Sequence, residues 1–290
     1  MQVLILTMSK KLLSASMRKF RTSSQKQKCT QQFYQPQRKL SLTDLRQTMS
    51  EECNDNLVLI SGKSATGKSA SLMGFSNPEG VMYLNCESNK KLPFKSKFQE
   101  FSITDPLQVY EAFEEAENMP DVHTIVVDTS TYLMDLFESV YVIPAADGRK
   151  AWGDYSQYWK NLMQQYVAKS SKNVIFLAHT GDVMNEGDQV METFVPVKGA
   201  LKNQGIESYF STVVSTKRMT LTELKKYKNA HLNITPDDEL VGFKYVFQTK
   251  LTKKTTGERI RSSLGMWTEQ ETFIDNNAQT LVDVLNDYYA

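Results

Sequence analysis

A chain of 290 residues has room for one large α/β domain, alone or with a small appendage. Its 40% hydrophobic and 23% charged content is that of a globular chain and excludes a low-complexity one. No apolar run approaches the roughly 18–20 residues of a membrane-spanning helix, so no membrane partner is expected. The net charge of +1 hides a division: residues 1–48 hold ten Lys/Arg against the single acid Asp44, so they carry +9 and the remainder −8. The three cysteines, Cys29, Cys53 and Cys86, form no CxxC pair and no metal-ligand pattern. They fit free thiols in a reducing cytoplasm and exclude a disulfide framework.

Residues 1–48 are rich in Lys, Arg, Gln and Ser and poor in apolar periodicity. Such a composition cannot bury enough surface to offset ordering entropy, and a basic arm without fixed structure is predicted. Three roles stay open for it: a nucleic-acid contact, a targeting peptide, or an extension ahead of a start at Met49. The second unit, 49–290, opens on an apolar β-run from Asn56 to Ile60. It leads into Gly62-Lys63-Ser64-Ala65-Thr66-Gly67-Lys68-Ser69, a match to G-x-x-x-x-G-K-[ST] at every fixed position, with Ala70 behind it. The glycines let the loop curl so that successive N–H groups face phosphate oxygens, and a helix beginning near Lys68 adds its positive end. Lys68 is expected on the β- and γ-phosphates of a nucleoside triphosphate, and the Ser69 hydroxyl on Mg²⁺.

Three later strands are predicted to end in chemistry. Val81 to Cys86 closes on Glu87, a carboxylate able to polarise an attacking water. His123 to Val127 closes on Asp128, sixty residues after Lys68, where a carboxylate can hold Mg²⁺ through water. Thr129-Ser130 follows Asp128, so the glutamate that many P-loop motors carry next to this aspartate is missing. Asn173 to Ala178 closes on His179, a candidate γ-phosphate sensor. Between the last two strands lie two helical stretches, Tyr132 to Tyr141 and Trp152 to Tyr166, the second with aromatic residues at core spacing. They are joined by a partly basic loop, 143–150, a candidate DNA-facing element.

These four strand ends resemble the RecA-like ATPase core, and within it phage-encoded RecA-like ATPases, a group that includes single-strand annealing proteins. The likeness spans about residues 55–280 and includes Asn85-Cys86-Glu87, Leu92-Pro93-Phe94, Ala151-Trp152-Gly153-Asp154-Tyr155 and Val195-Pro196-Val197-Lys198-Gly199-Ala200. The resemblance implies ATP and Mg²⁺ as cofactors. It also implies Lys68, Glu87, Asp128 and His179 in catalysis, Ser69 and Asp128 toward the metal, and single-stranded DNA and further copies of the chain as partners. The loop 181–197 would face DNA by this likeness, yet it holds Asp182, Glu186, Asp188 and Glu192 and no Lys or Arg, whereas phosphate contacts normally come from basic groups.

Basic residues gather later: 217–261 carries eleven Lys/Arg and five acids. Phe243 to Leu251 alternates apolar with polar and then turns through Lys253-Lys254-Thr255-Thr256-Gly257 into Arg259-Ile260-Arg261, which predicts an antiparallel β-hairpin with a basic outer face. Lys198, Lys250, Lys253, Arg259 and Arg261 are candidates for DNA contacts or for a cation supplied to a neighbouring subunit's site, while the basic face of the hairpin could equally do no more than solvate and protect an edge strand. A packing helix from Asn277 to Tyr289 closes the chain. The expected fold is α/β: a twisted, mostly parallel sheet flanked by helices, with the antiparallel hairpin near the C-terminus. The expected function is ATP-dependent annealing or strand exchange on single-stranded DNA. A RecA-fold helicase, a non-catalytic nucleotide-gated module and a small-molecule kinase are the rivals.

Overall fold

The computed structural model describes residues 54–290, and the expectation of a basic arm over 1–48 lies outside them. In chain order the strands are β1 (Leu57–Gly62), β2 (Val81–Asn85), β3 (Gln99–Ser102), β4 (Thr124–Asp128), β5 (Asn173–His179), β6 (Gly181–Asn185), β7 (Val190–Phe194), β8 (Thr212–Thr220), β9 (Phe243–Gln248) and β10 (Phe273–Asp275). The helices are α1 (Gln108–Glu117), α2 (Ser130–Phe137), α3 (Gly148–Asn161), α4 (Leu221–Leu224), α5 (Pro236–Val241) and α6 (Ala278–Tyr289).

Eight strands form one sheet in the order β10-β9-β8-β1-β5-β4-β2-β3, while β6 and β7 form a separate ribbon. From β3 to β8 every pairing is parallel. Parallel strands covered on both faces read as unbroken apolar runs, which is why β1, β2 and β4 are buried at every position. Alternation sorts their side chains into two layers. Leu57, Leu59, Ile125, Val127, Val174 and Phe176 face α1, α2 and α3. Val58, Ile60, Val126, Ile175 and Leu177 face the turn after β1 and the α6 residues Leu281, Val282 and Leu285.

The helices start where their caps stand. Thr129 accepts from the Tyr132 N–H, Asp147 from the Lys150 N–H and Asn277 from the Gln279 N–H. Helices α2 and α3 each run on through a wider π-type turn, Glu138–Val142 and Leu162–Val167. Tyr155, Trp159, Leu162 and Met163 are buried, as the core reading of that helix expects.

Four expectations are corrected in detail. The segment after Lys68 is a six-residue 3₁₀ turn, Ser69–Gly74, rather than a longer helix. Gly74 sits against Asn277, where a Cβ would come within 2.3 Å of Oδ1, and the chain leaves the turn toward Pro78. Residues 181–197 are mostly the β6–β7 hairpin rather than a loop. The loop expected over 143–150 gives way to α3 at Gly148, behind the Asp147 cap. The antiparallel addition is present, but β9 pairs with β8 and β10, and the returning Arg261 bridges Val213 on β8 instead. Val246 and Phe247, adjacent and therefore on opposite faces of β9, are both buried, which suits a strand in the interior of the sheet better than one at its edge.

Candidate active site

Parallel pairing brings the strand ends to one edge of the sheet. Gly62 is in register with His179, and Asn85 with Asp128. The Cys86 N–H bonds the Asp128 carbonyl at 2.7 Å, which aligns the approach to Glu87 with the end of β4. Ligands of open α/β sheets bind outside this carboxyl edge. Lys68, Glu87, Asp128 and His179, collected from four separate stretches of chain, are therefore neighbours.

The loop itself is held by its backbone and by β8. Ala65 at φ 61° and Gly67 at φ 95° take left-handed conformations, and alternating handedness turns successive N–H groups inward to form an anion nest. Gly67 is closed over by Asn276, whose Nδ2 donates to its carbonyl at 2.8 Å. Gly62 is required for a different reason: a Cβ there would lie 2.1 Å from Thr216 Oγ1 and 3.1 Å from the Thr216 carbonyl. The Thr66 and Thr216 hydroxyls meet at 2.5 Å and fix the crown of the loop to β8.

Lys68 is almost fully buried. Its Nζ donates to the Gly62 and Lys63 carbonyls at 3.0 and 2.8 Å and lies 3.2 Å from His179 Nδ1. Burial lowers the ammonium from its ordinary value to about 8, and the Asp128 and Glu87 charges oppose that fall. Loop carbonyls thus hold the cation at the centre of the cradle.

Asp128 is 1% exposed. Ser69 Oγ and Tyr83 OH donate to its Oδ2 at 2.8 and 2.7 Å, while Oδ1 is buried with no hydrogen-bond partner. Burial pushes the carboxyl above its ordinary range, against the two hydroxyl bonds. A buried carboxylate oxygen without a partner, next to a serine hydroxyl, fits a cation or its bound water. No group of three or more His, Cys, Asp or Glu among the described residues could hold a metal by itself. The donor set therefore suits Mg²⁺ that completes its shell from phosphates and water.

Glu87 is gripped on both oxygens. His179 Nε2 lies 3.4 Å from Oε1, and Lys90 Nζ lies 2.6 Å from Oε2. The bond from His179 and the ammonium of Lys90 together hold its carboxyl at about 2, against the penalty of burial. His179 is placed by its backbone N–H, which donates to Thr131 Oγ1 at 3.0 Å, and by the edge of Tyr132. Two residues later the chain enters β6, where Asp182 pairs with Lys63 at 2.5 Å and accepts from Thr193 Oγ1 at 2.8 Å.

None of the candidate DNA or trans cations bonds to this cluster, and four have partners in the chain. Lys198 pairs with Asp135 and Glu138, and Lys250 with Glu269. Arg259 pairs with Glu207 at 3.3 Å and stacks over Phe194, and Arg261 donates to the Glu207 and Phe210 carbonyls. Lys253 is exposed in the turn after β9. Reading the sequence did not bring out Tyr83, Lys90, Thr216 or Asn276. Only Lys90, three residues after Glu87, left a signal that could have been used.

No helix among the described residues is long and apolar enough to cross a membrane. A family model described as an AAA domain matches residues 54–255. Among curated proteins none matches the chain.

Proposed function

The chain belongs to the family of that AAA domain, a P-loop ATPase domain, and from this premise we propose that it hydrolyses ATP in work on single-stranded DNA, annealing or exchanging strands in the manner of phage RecA-like proteins. The observation that carries the reading is the meeting of Lys68, Glu87, Asp128 and His179 at one sheet edge, with His179 bonded to Glu87 and running directly into an exposed hairpin. A site built in this way can pass the state of a phosphate to a surface element. The phage-type resemblance supplies the choice of DNA and of annealing.

In this reading the inward N–H groups of residues 64–69 and the Lys68 ammonium bind and orient the phosphates. Ser69 and Asp128 would hold Mg²⁺, which would neutralise phosphate charge. Glu87 orients water and accepts its proton, and His179 positions Glu87. A second reading, a nucleotide-gated module without turnover, draws on the double grip on Glu87, which leaves that carboxylate a weak base.

ATP hydrolysis with and without single-stranded DNA, for wild type, Lys68→Ala and Glu87→Gln, tests both. DNA-stimulated turnover lost in the two variants is expected. Turnover indifferent to DNA would remove DNA as the partner. Nucleotide binding without turnover in the wild type would favour the gated module.

A further inference from the structure

We propose that the loop joining β2 to β3 is a docking surface for the backbone of single-stranded nucleic acid, and that docking draws Lys90 off Glu87 and so opens the site to turnover. The proposal rests on the DNA-directed function above and adds where the strand binds and how it is felt.

The ion pair between Lys90 and Glu87 is asymmetric. The glutamate side chain is 8% exposed and belongs to the interior of the site, whereas that of Lys90 is 67% exposed. An outside ligand can reach only the lysine. A phosphodiester offers an ammonium the same charge-assisted bond that a carboxylate does, so a strand laid along the loop competes with Glu87 for Lys90 directly. Once Lys90 leaves, Glu87 Oε2 is open to water and loses the neighbouring positive charge that makes it a weak base.

The rest of the loop suits the same ligand. Lys91 and Lys95 are exposed and form no ion pair with any described residue. They line an open depression with Leu92, Pro93, Phe94 and Glu100. Phe94 is half-buried, with its ring edge-on to Phe98 at 5.8 Å. Cations beside a supported aromatic ring are what an unpaired strand needs, phosphates on the lysines and a base against the ring. Free phosphate would make no use of the apolar wall. The β6–β7 hairpin, with Asp182, Glu186, Asp188 and Glu192 and no Lys or Arg, offers such a strand no phosphate contact.

Two measurements test this. The first is ATP hydrolysis by wild type, Lys90→Ala and Lys90→Arg, with and without a single-stranded oligonucleotide. Lys90→Ala should turn over without DNA several-fold faster than wild type and gain little from DNA. Lys90→Arg, which keeps the cation, should return to a low DNA-free rate. The second is fluorescence anisotropy of a labelled oligonucleotide with the Lys91→Ala/Lys95→Ala double variant. Its Kd should rise about tenfold, with a salt slope shallower by about 1–2, as expected for the loss of two phosphate contacts.

A Lys90→Ala enzyme whose DNA-free rate stays at the wild-type level while DNA still stimulates it overturns the clamp and leaves the proposed function standing. An unchanged Kd in the double variant overturns the docking surface. Wild type that neither binds the oligonucleotide nor is stimulated by it defeats the function proposed above, and the docking with it.

Discussion

Glu87 ties two residues of opposite exposure into one network, and its acidity has a consequence for stability. The carboxyl is held at about 2 when folded, against an ordinary value of 4.5. A depressed carboxylate contributes stability that is fully present above 4.5 and is lost as pH falls toward 2. The solvent-facing Lys90 limits the contribution to about 1–2 kcal/mol. Urea unfolding of wild type and Glu87→Gln should differ by that amount near pH 6.5, with the difference shrinking as pH falls below 4.5 and closing only at about pH 2. Gly62 gives a second prediction. Gly62→Ala would press a methyl into Thr216, which is 2% exposed and bonded to the Ser61 carbonyl. A stability loss of about 1–3 kcal/mol is expected, with weakened ATP binding, read by thermal melts with and without nucleotide. At this scale the residues of the proposed phosphate and metal site were legible, because the motif fixes their spacing and each strand ends on its polar residue. Tyr83, Thr216 and Asn276 were not. Each reaches the site across the sheet or from a distant part of the chain, and such proximity leaves no mark on local spacing.

The elements that the sequence showed most clearly are those with long periodic faces. Helix α3 and the turn that follows it bury Tyr155, Trp159, Leu162 and Met163 against the sheet, and the spacing of these residues alone indicated a core helix. Trp159 is fully buried. Trp159→Ala should therefore cost about 3–5 kcal/mol, and chemical denaturation would show it as a lower midpoint. Elements that went unread are short or half-exposed. Strand β3 has four residues with alternating partial exposure, and the β6–β7 ribbon leaves Val183, Met184 and Met191 about half exposed. Neither carries the unbroken apolar run that marks a buried strand. The pairing of β9 was missed for another reason. Its alternation identified a strand, but the choice of β8 and β10 over the returning segment is made by tertiary packing of Val246 and Phe247.

For the whole molecule, the parallel sheet with helices on both faces could be anticipated from the alternation of apolar strands and helical stretches, since parallel neighbours need a crossover between them. The strand order could not, because it depends on which crossover passes over which neighbour. That order places β5 between β1 and β4, so the strand that carries His179 adjoins the strands that lead into the phosphate loop and into Asp128. Residues 217–261, the most basic part of the described chain, wrap β8 and β9 on the other side of β1. Several of their cations are used within the chain: Lys217 by Glu258, Lys244 by Asp238 and Asp275, and Lys250 by Glu269. A net charge counted along the sequence overstates the potential such a face presents to a ligand.

The pairing of Lys63 with Asp182 joins the first turn of the phosphate loop to the base of the hairpin. Lys63 is exposed and stands where an incoming anion would also claim it. If occupancy of the loop loosens the hairpin, linkage works in both directions: whatever grips the loosened hairpin must tighten nucleotide by the same factor by which nucleotide favours the grip. One surface ion pair, replaceable from the Asp182 side, would then set how strongly the two ends of this device hear each other.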